Sequence, residues 1–173
     1  MESKEFRKKV IPLGQKLYRY ASGLLKDVHE AEDIVQDIFI KLWNMRSRMD
    51  EIKNLDAFTF RMTRNLCLDR LKARKVRFFN HSSDEGMPEP EFSGPDPEDQ
   101  LELQDTVNKI RMIINTLPEQ QKSIIHLRDI EGYSYEEISD IMNMQINAVR
   151  VTLSRARRTV RESLSKIHQS WKI

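Results

Sequence analysis

Five arginines crowd into one short stretch of this 173-residue chain: Arg150, Arg155, Arg157, Arg158 and Arg161, with Asn147 and Ser154 among them. Guanidinium groups bind phosphate oxygens, and Asn, Ser and Arg side chains near the start of a helix can reach base edges. On one helix this set suits DNA recognition, with Asn147 and Arg150 placed to read bases. Arg155, Arg157 and Arg158 are placed to meet phosphates, and Ser154 lies just before them. A solvated cationic face on an ordinary helical bundle has the same composition, so the flanking elements must decide.

Those elements form a helix pair. Ser134 and Glu137 have capping-box spacing, which predicts a helix from Tyr135 to about Met142. "NMQ" at 143–145 is then the turn, with Asn143 as the non-glycine residue best able to go left-handed. A second helix starts near Ile146, and Val149, Leu153, Ala156, Val160 and Leu164 give it a buried stripe. Asn147, Arg150, Ser154, Arg157, Arg158 and Arg161 occupy the remaining surface. The arrangement is a helix-turn-helix. Upstream, a helix from Leu101 to Asn115 turns Leu103, Val107, Ile110 and Ile114 inward. Pro118 suits a first helical turn, and Gly132 a left-handed stop.

The N-terminal half poses the question again. Phe6, Val10, Leu13, Leu17, Tyr20 and Leu24 form one helical stripe that Pro12 and Gly14 interrupt early. Asp27 caps the next helix, with Glu30 at capping-box spacing, and Ala31, Ile34, Ile38 and Leu42 face inward. Asp33, Gln36 and Asp37 share the opposite face, either as solvated acids or as acceptors for a basic partner. Trp43 reads as core. A third helix, from about Ala57 to Lys75, presents Arg61, Arg64, Asn65 and Lys72 along one stripe, followed by Arg74, Lys75 and Arg77. Asn65 stands out there as a paired donor and acceptor among arginines. Asp69 fits a structural ion pair, and Cys67 the core.

Formal charge explains the layout. Residues 1–77 carry 18 Lys or Arg against 11 Asp or Glu; residues 78–105 carry nine acids and no Lys or Arg; residues 106–173 return to 11 against seven. Four prolines, two glycines and three serines make 78–100 a flexible acidic linker. The chain is therefore expected to be all-α: two small helical domains, 1–77 and 101–173, joined by that linker. No apolar run approaches bilayer length, and the N-terminus lacks a signal-peptide core. The single cysteine excludes an internal disulfide, and the four histidines never fall at ligand spacing. A cytoplasmic protein without cofactor, metal or small-molecule substrate is expected. Neither a phosphate-cradling loop nor a nucleophile-and-base set argues for an enzyme.

The segment "LPEQQKSIIHLRDIEGYSYEEISDIMNMQINAVRVTLSRARRTVRESL" (117–164) resembles the C-terminal promoter-reading domain of extracytoplasmic-function sigma factors, a branch of the sigma-seventy family. "AEDIVQDIFIKLW" (31–43) and "AFTFRMTRNLCLDRLKARK" (57–75) resemble the other signature segments of that family, in the expected order. Asn143 and Gln145 stand where the family commonly has Gly and a Ser cap. The resemblance implies that Asp33, Gln36 and Asp37 dock on core RNA polymerase. It implies that Arg61, Arg64, Asn65 and Lys72 face the minus-ten promoter element, with Asn54 lining a pocket for an extruded base. The linker would thread a polymerase channel, and the helix-turn-helix would read the minus-thirty-five element. An anti-sigma protein is a further implied partner. The alternative is a stand-alone helix-turn-helix regulator, which leaves the acidic face and the second basic helix unexplained.

Overall fold

The structure is a computed structural model and describes residues 3–80 and 101–170; most of the expected acidic linker, 81–100, lies outside the described residues. All described elements are helical. They group into two compact units, Met1–Pro90 and Glu91–Ile173.

In the first unit, α1 (Ser3–Val10) and α2 (Leu13–Leu25) are separated at Ile11 and Pro12, where proline restarts the helix. The expected stripe is buried from Phe6 through Leu24 despite the break. α2 ends on Lys26, which adopts a left-handed conformation (φ 55°) usually left to glycine or asparagine. Asp27 then caps α3 (Val28–Asn44), accepting from the Glu30 N–H at 2.9 Å. Glu30 does not complete the expected box in the usual way: its carboxylate pairs with Arg74 at 2.8 Å. A 3-10 turn (Arg46–Glu51) anchored by buried Met49 leads to α4 (Leu55–Asn80), longer at both ends than the expected 57–75. The early start has a local cause. Asn54 Oδ1 accepts from the Ala57 N–H at 2.9 Å, making Asn54 an N-cap.

α2, α3 and α4 pack as a three-helix core around Leu17, Ile34, Ile38, Leu42 and an edge-to-face Tyr20–Phe60 pair at 5.5 Å. Thr59 and Thr63 are buried in it, with both hydroxyls donating to carbonyls of their own helix. Cys67 is buried there, as expected. Trp43 is a correction. It is 39% exposed, with its ring against Phe6 (5.1 Å) and the Arg46 guanidinium 4.6 Å above it. An indole suits this half-buried position because one edge packs while the face takes a cation.

The second unit comprises α5 (Leu101–Thr116), α6 (Glu119–Ile125), α7 (Tyr135–Met142) and α8 (Ile146–Ser170). Pro118 precedes α6 as its cap rather than sitting inside the first turn. α6 runs into a π turn, His126–Ile130, in which Glu131 N–H donates to the His126 carbonyl at 3.0 Å. Gly132 (φ +78°) then reverses the chain in the left-handed conformation expected of it. Val149, Leu153 and Ala156 of α8 are buried, but Val160 and Leu164 only partly. On α5 the expected inward stripe is displaced. Val107 is 39% exposed, Ile110 and Ile114 are half-buried, and Ile113 and the following Leu117 fill the core. The partly covered residues leave an apolar groove of about 990 Å³ walled by Val107, Ile110, Ile114, Ile125, Val160 and Leu164. The α5 face turned inward is the one that carries Ile113, and Leu117 follows it just beyond the helix end.

Candidate nucleic-acid and polymerase interfaces

The helix-turn-helix forms as its local chemistry dictates. Ser134 Oγ accepts from Glu137 N–H (3.1 Å), and the Glu137 carboxylate accepts from Ser134 N–H (2.8 Å), so the capping box is complete. Asn143 closes α7 in the left-handed region (φ 51°, ψ 52°), donating its N–H to the Ser139 carbonyl. Ser139 Oγ donates to the Met144 carbonyl, which stitches the turn from its other side. α8 begins at Ile146 with no Ser cap. Gln145 supplies only its backbone carbonyl, accepting from Val149 N–H at 3.0 Å.

On α8, Arg150, Ser154, Arg157 and Arg158 line one cleft of about 400 Å³ together with Tyr135, Leu153 and Arg161. Asn147 is exposed one turn earlier on the same face. Arg155 is exposed but set aside from the cleft, about 80° round the helix from Asn147 at 100° per residue. Two of the cleft arginines already have partners. Arg157 makes a two-pronged pair with Asp129 of the π turn, which raises its pKa further through the hydrogen bond. That guanidinium ties α8 to the π turn before it meets any phosphate. Arg158 pairs with Glu162 one turn on, fully at the surface; the bond from Arg158 holds the Glu162 carboxyl below its usual value. Such an exposed pair is easily exchanged for a phosphate contact. Tyr135 and Arg161 are cleft residues that the arginine pattern did not single out as contacts. For Tyr135 the available signal was its position just after the capping Ser.

In the first unit, Asp33 and Gln36 are exposed on α3 and Asp37 is half-buried, 3.8 Å from Arg70 of α4. Ile40 extends the same face at seven residues from Asp33 and is 59% exposed. The acidic face is therefore two acids, an amide and an apolar residue. The isoleucine was legible as an apolar position off the buried Ile34–Ile38 stripe.

Along α4, Arg61, Asn65 and Lys72 are exposed and Arg64 is half-buried. Lys72 lies 4.0 Å from Asp69, the ion-pair role expected of that aspartate. Asn54 is half-buried, and its oxygen accepts the α4 cap bond, which leaves its amide NH₂ and a second lone pair for other partners. Arg74, counted above with the basic run, is a structural clamp. Its guanidinium donates to the Leu25 carbonyl (3.0 Å), Asp27 Oδ2 (3.3 Å) and Glu30 Oε1 (3.3 Å), joining the end of α2 to the start of α3. Among the described residues no group of His, Cys, Asp and Glu could hold a metal ion, and no helix is long and apolar enough to cross a membrane.

Comparison with known proteins agrees with this geometry unit by unit. Residues 11–77 match the family model described as Sigma-70 region 2, and residues 108–160 the one described as Sigma-70, region 4. The ECF RNA polymerase sigma factor SigW of Bacillus subtilis is 28% identical over 86% of this chain and 83% of its own length. ECF sigma factor SigE of Mycolicibacterium smegmatis is 29% identical over 87% of this chain, which spans 58% of that protein. Among solved structures, the sigma factor RpoE of Bartonella quintana, in complex with the anti-sigma factor NepR, aligns with a TM-score of 0.76. That match covers 94% of this chain and 98% of RpoE at 26% identity. The chain belongs to the extracytoplasmic-function branch of the sigma-70 family, non-catalytic factors that direct promoter-specific initiation of transcription.

Proposed function

We propose that the chain assembles with core RNA polymerase and divides promoter recognition between its two units. Residues 1–77 hold the polymerase through Asp33, Gln36 and Asp37, with Ile40 as an apolar anchor on the same face. An apolar side chain flanked by acids is the composition of a protein contact rather than of a DNA contact. Arg61, Arg64, Asn65 and Lys72 of α4 meet the minus-ten element. Residues 101–173 read the minus-thirty-five element. There Asn147 and Arg150 reach bases, while Ser154, Arg155 and Arg158 contact the backbone and Arg157 fixes α8 in place.

The acidic segment 78–100 tethers the units and suits a path past basic polymerase surfaces. The chain performs no catalysis and works in the cytoplasm; an anti-sigma protein is its expected regulator, as NepR is the partner of RpoE.

The observation that carries this reading is the pairing of an acidic, partly apolar α3 face with a separate arginine-lined cleft on α8. A stand-alone regulator needs only the second. Reconstitution decides between them. The full chain added to core polymerase should give promoter-dependent run-off transcription, and Asp33→Lys should abolish co-purification with polymerase. Tight promoter binding without polymerase, and none of this dependence, would establish the regulator instead.

A further inference from the structure

The Tyr135 ring carries two guanidinium groups. Arg128 Cζ lies 4.7 Å from the ring centroid and Arg150 Cζ 5.1 Å. The two arginines are held differently. Arg128 is anchored by its Nη1, which donates to the Tyr133 carbonyl at 2.6 Å. Arg150 is exposed and has no carboxylate partner among the described residues. The aromatic face is what restrains its side chain. Tyr135 itself is the first residue of α7, and the Ser134–Glu137 box fixes the backbone that bears it. Its ring and Arg150 line the same cleft as Arg158 and Arg161.

An arginine on an exposed helix face has many rotamers, and ordering them opposes every bond it makes to DNA. A planar guanidinium stacked on an aromatic ring keeps its donor edge available while losing most of that freedom in advance. We propose that Tyr135 is a positioning residue for promoter reading, its ring holding Arg150 over the cleft before DNA arrives. The first helix of the motif thereby sets the side chain with which the second one reads. This role rests on the assignment of Arg150 to base reading.

The test uses the full chain assembled with core RNA polymerase. Tyr135→Phe and Tyr135→Leu holoenzymes are titrated against a promoter carrying its selected upstream element and against one with that element scrambled. Tyr135→Phe keeps the ring and should bind as the parent does. Tyr135→Leu should lose about three- to tenfold on the selected promoter and little on the scrambled one. In an Arg150→Ala background the Leu substitution should add nothing. Equal losses on both promoters, or a loss additive with Arg150→Ala, would overturn the role.

A second readout needs no DNA: nitrogen-15 relaxation at Arg150 Nε in the free chain. Tyr135→Leu should raise its mobility and Tyr135→Phe should not; unchanged relaxation would overturn the restraint. If the Leu variant does not fold, Tyr135→Met serves the same comparison. Arg150→Ala with full discrimination would overturn the base-reading assignment itself. Arg150→Ala with lost discrimination but unaltered Arg150 relaxation in Tyr135→Leu would overturn only the role of Tyr135.

Discussion

Helices α4 and α8 are both long, both basic and both rich in arginine, yet their arginines have different destinations. α4 packs against α3, whose start carries Asp27 and Glu30 and whose middle carries Asp37; these acids draw in Arg74 and bring Arg70 near. α8 packs against elements that offer Asp129 to Arg157, while Arg150 and Arg161 line the same cleft without such an acid among the described residues. The density of positive charge alone thus does not separate arginines that hold the fold from those proposed to meet DNA. An acid brought across from another element, as for Arg74 and Arg157, marks a guanidinium that holds the fold.

The strongest way to break this comparison is to remove its clearest scaffold arginine. Arg74→Ala removes the donor shared by the Leu25 carbonyl and two carboxylates and should destabilise the first unit by about 2–3 kcal/mol. Urea unfolding of the full chain measures it; a midpoint unchanged from the parent would remove Arg74 from the scaffold. Next comes base reading. Asn147→Ala should relax the preference at one base pair of the upstream element, worth about 1–3 kcal/mol of discrimination. Selection of promoter variants by the mutant holoenzyme shows it, and an unshifted preference removes Asn147 from that role.

Arg157 and Arg158 are neighbours that the comparison predicts to behave differently. Arg158→Ala should weaken promoter binding across sequences and lower the salt slope of the holoenzyme by about one. Arg157→Ala should leave the slope alone and lower the stability of the second unit by up to about 1 kcal/mol, as a surface pair does. Reversal of the two would show that the Asp129 pair dissolves when DNA binds. The smallest effect is expected at Lys26, whose left-handed conformation is strained for a residue with a Cβ. Lys26→Gly should raise the stability of the first unit by about 0.5–1 kcal/mol. Differential scanning calorimetry resolves that sign, and a loss instead would place the value of Lys26 in its side chain.

Much of this architecture was legible in short windows. The Ser134–Glu137 box, the left-handed Asn143 and the start of α8 at Ile146 are all where the residues put them. So is the break at Pro12, and so is the Asp27 cap. The misreadings share a cause. The capping role of Asn54 is hidden when the helix is expected to begin at Ala57; a start at Leu55 exposes it. Val107 looked buried because its spacing with Ile110 and Ile114 is helical, but that spacing fits more than one apolar face. Trp43 looked like core because it is large and aromatic, and only the approach of Phe6 and Arg46 sets how much of it stays outside.

By itself the sequence determined where helices begin, turn and end, because caps, left-handed residues and apolar periods act within a few residues of one another. It also determined that two basic blocks flank an acidic segment. The tertiary structure alone decided which charges far apart in the chain neutralise each other. Arg74 finds Asp27 across 47 residues of chain and Arg157 finds Asp129 across 28, pairings that exist only once helices are packed. The same holds for Tyr135 and Arg150, on different helices of one motif, whose rings and guanidinium meet because the turn at Asn143 sets the angle between them.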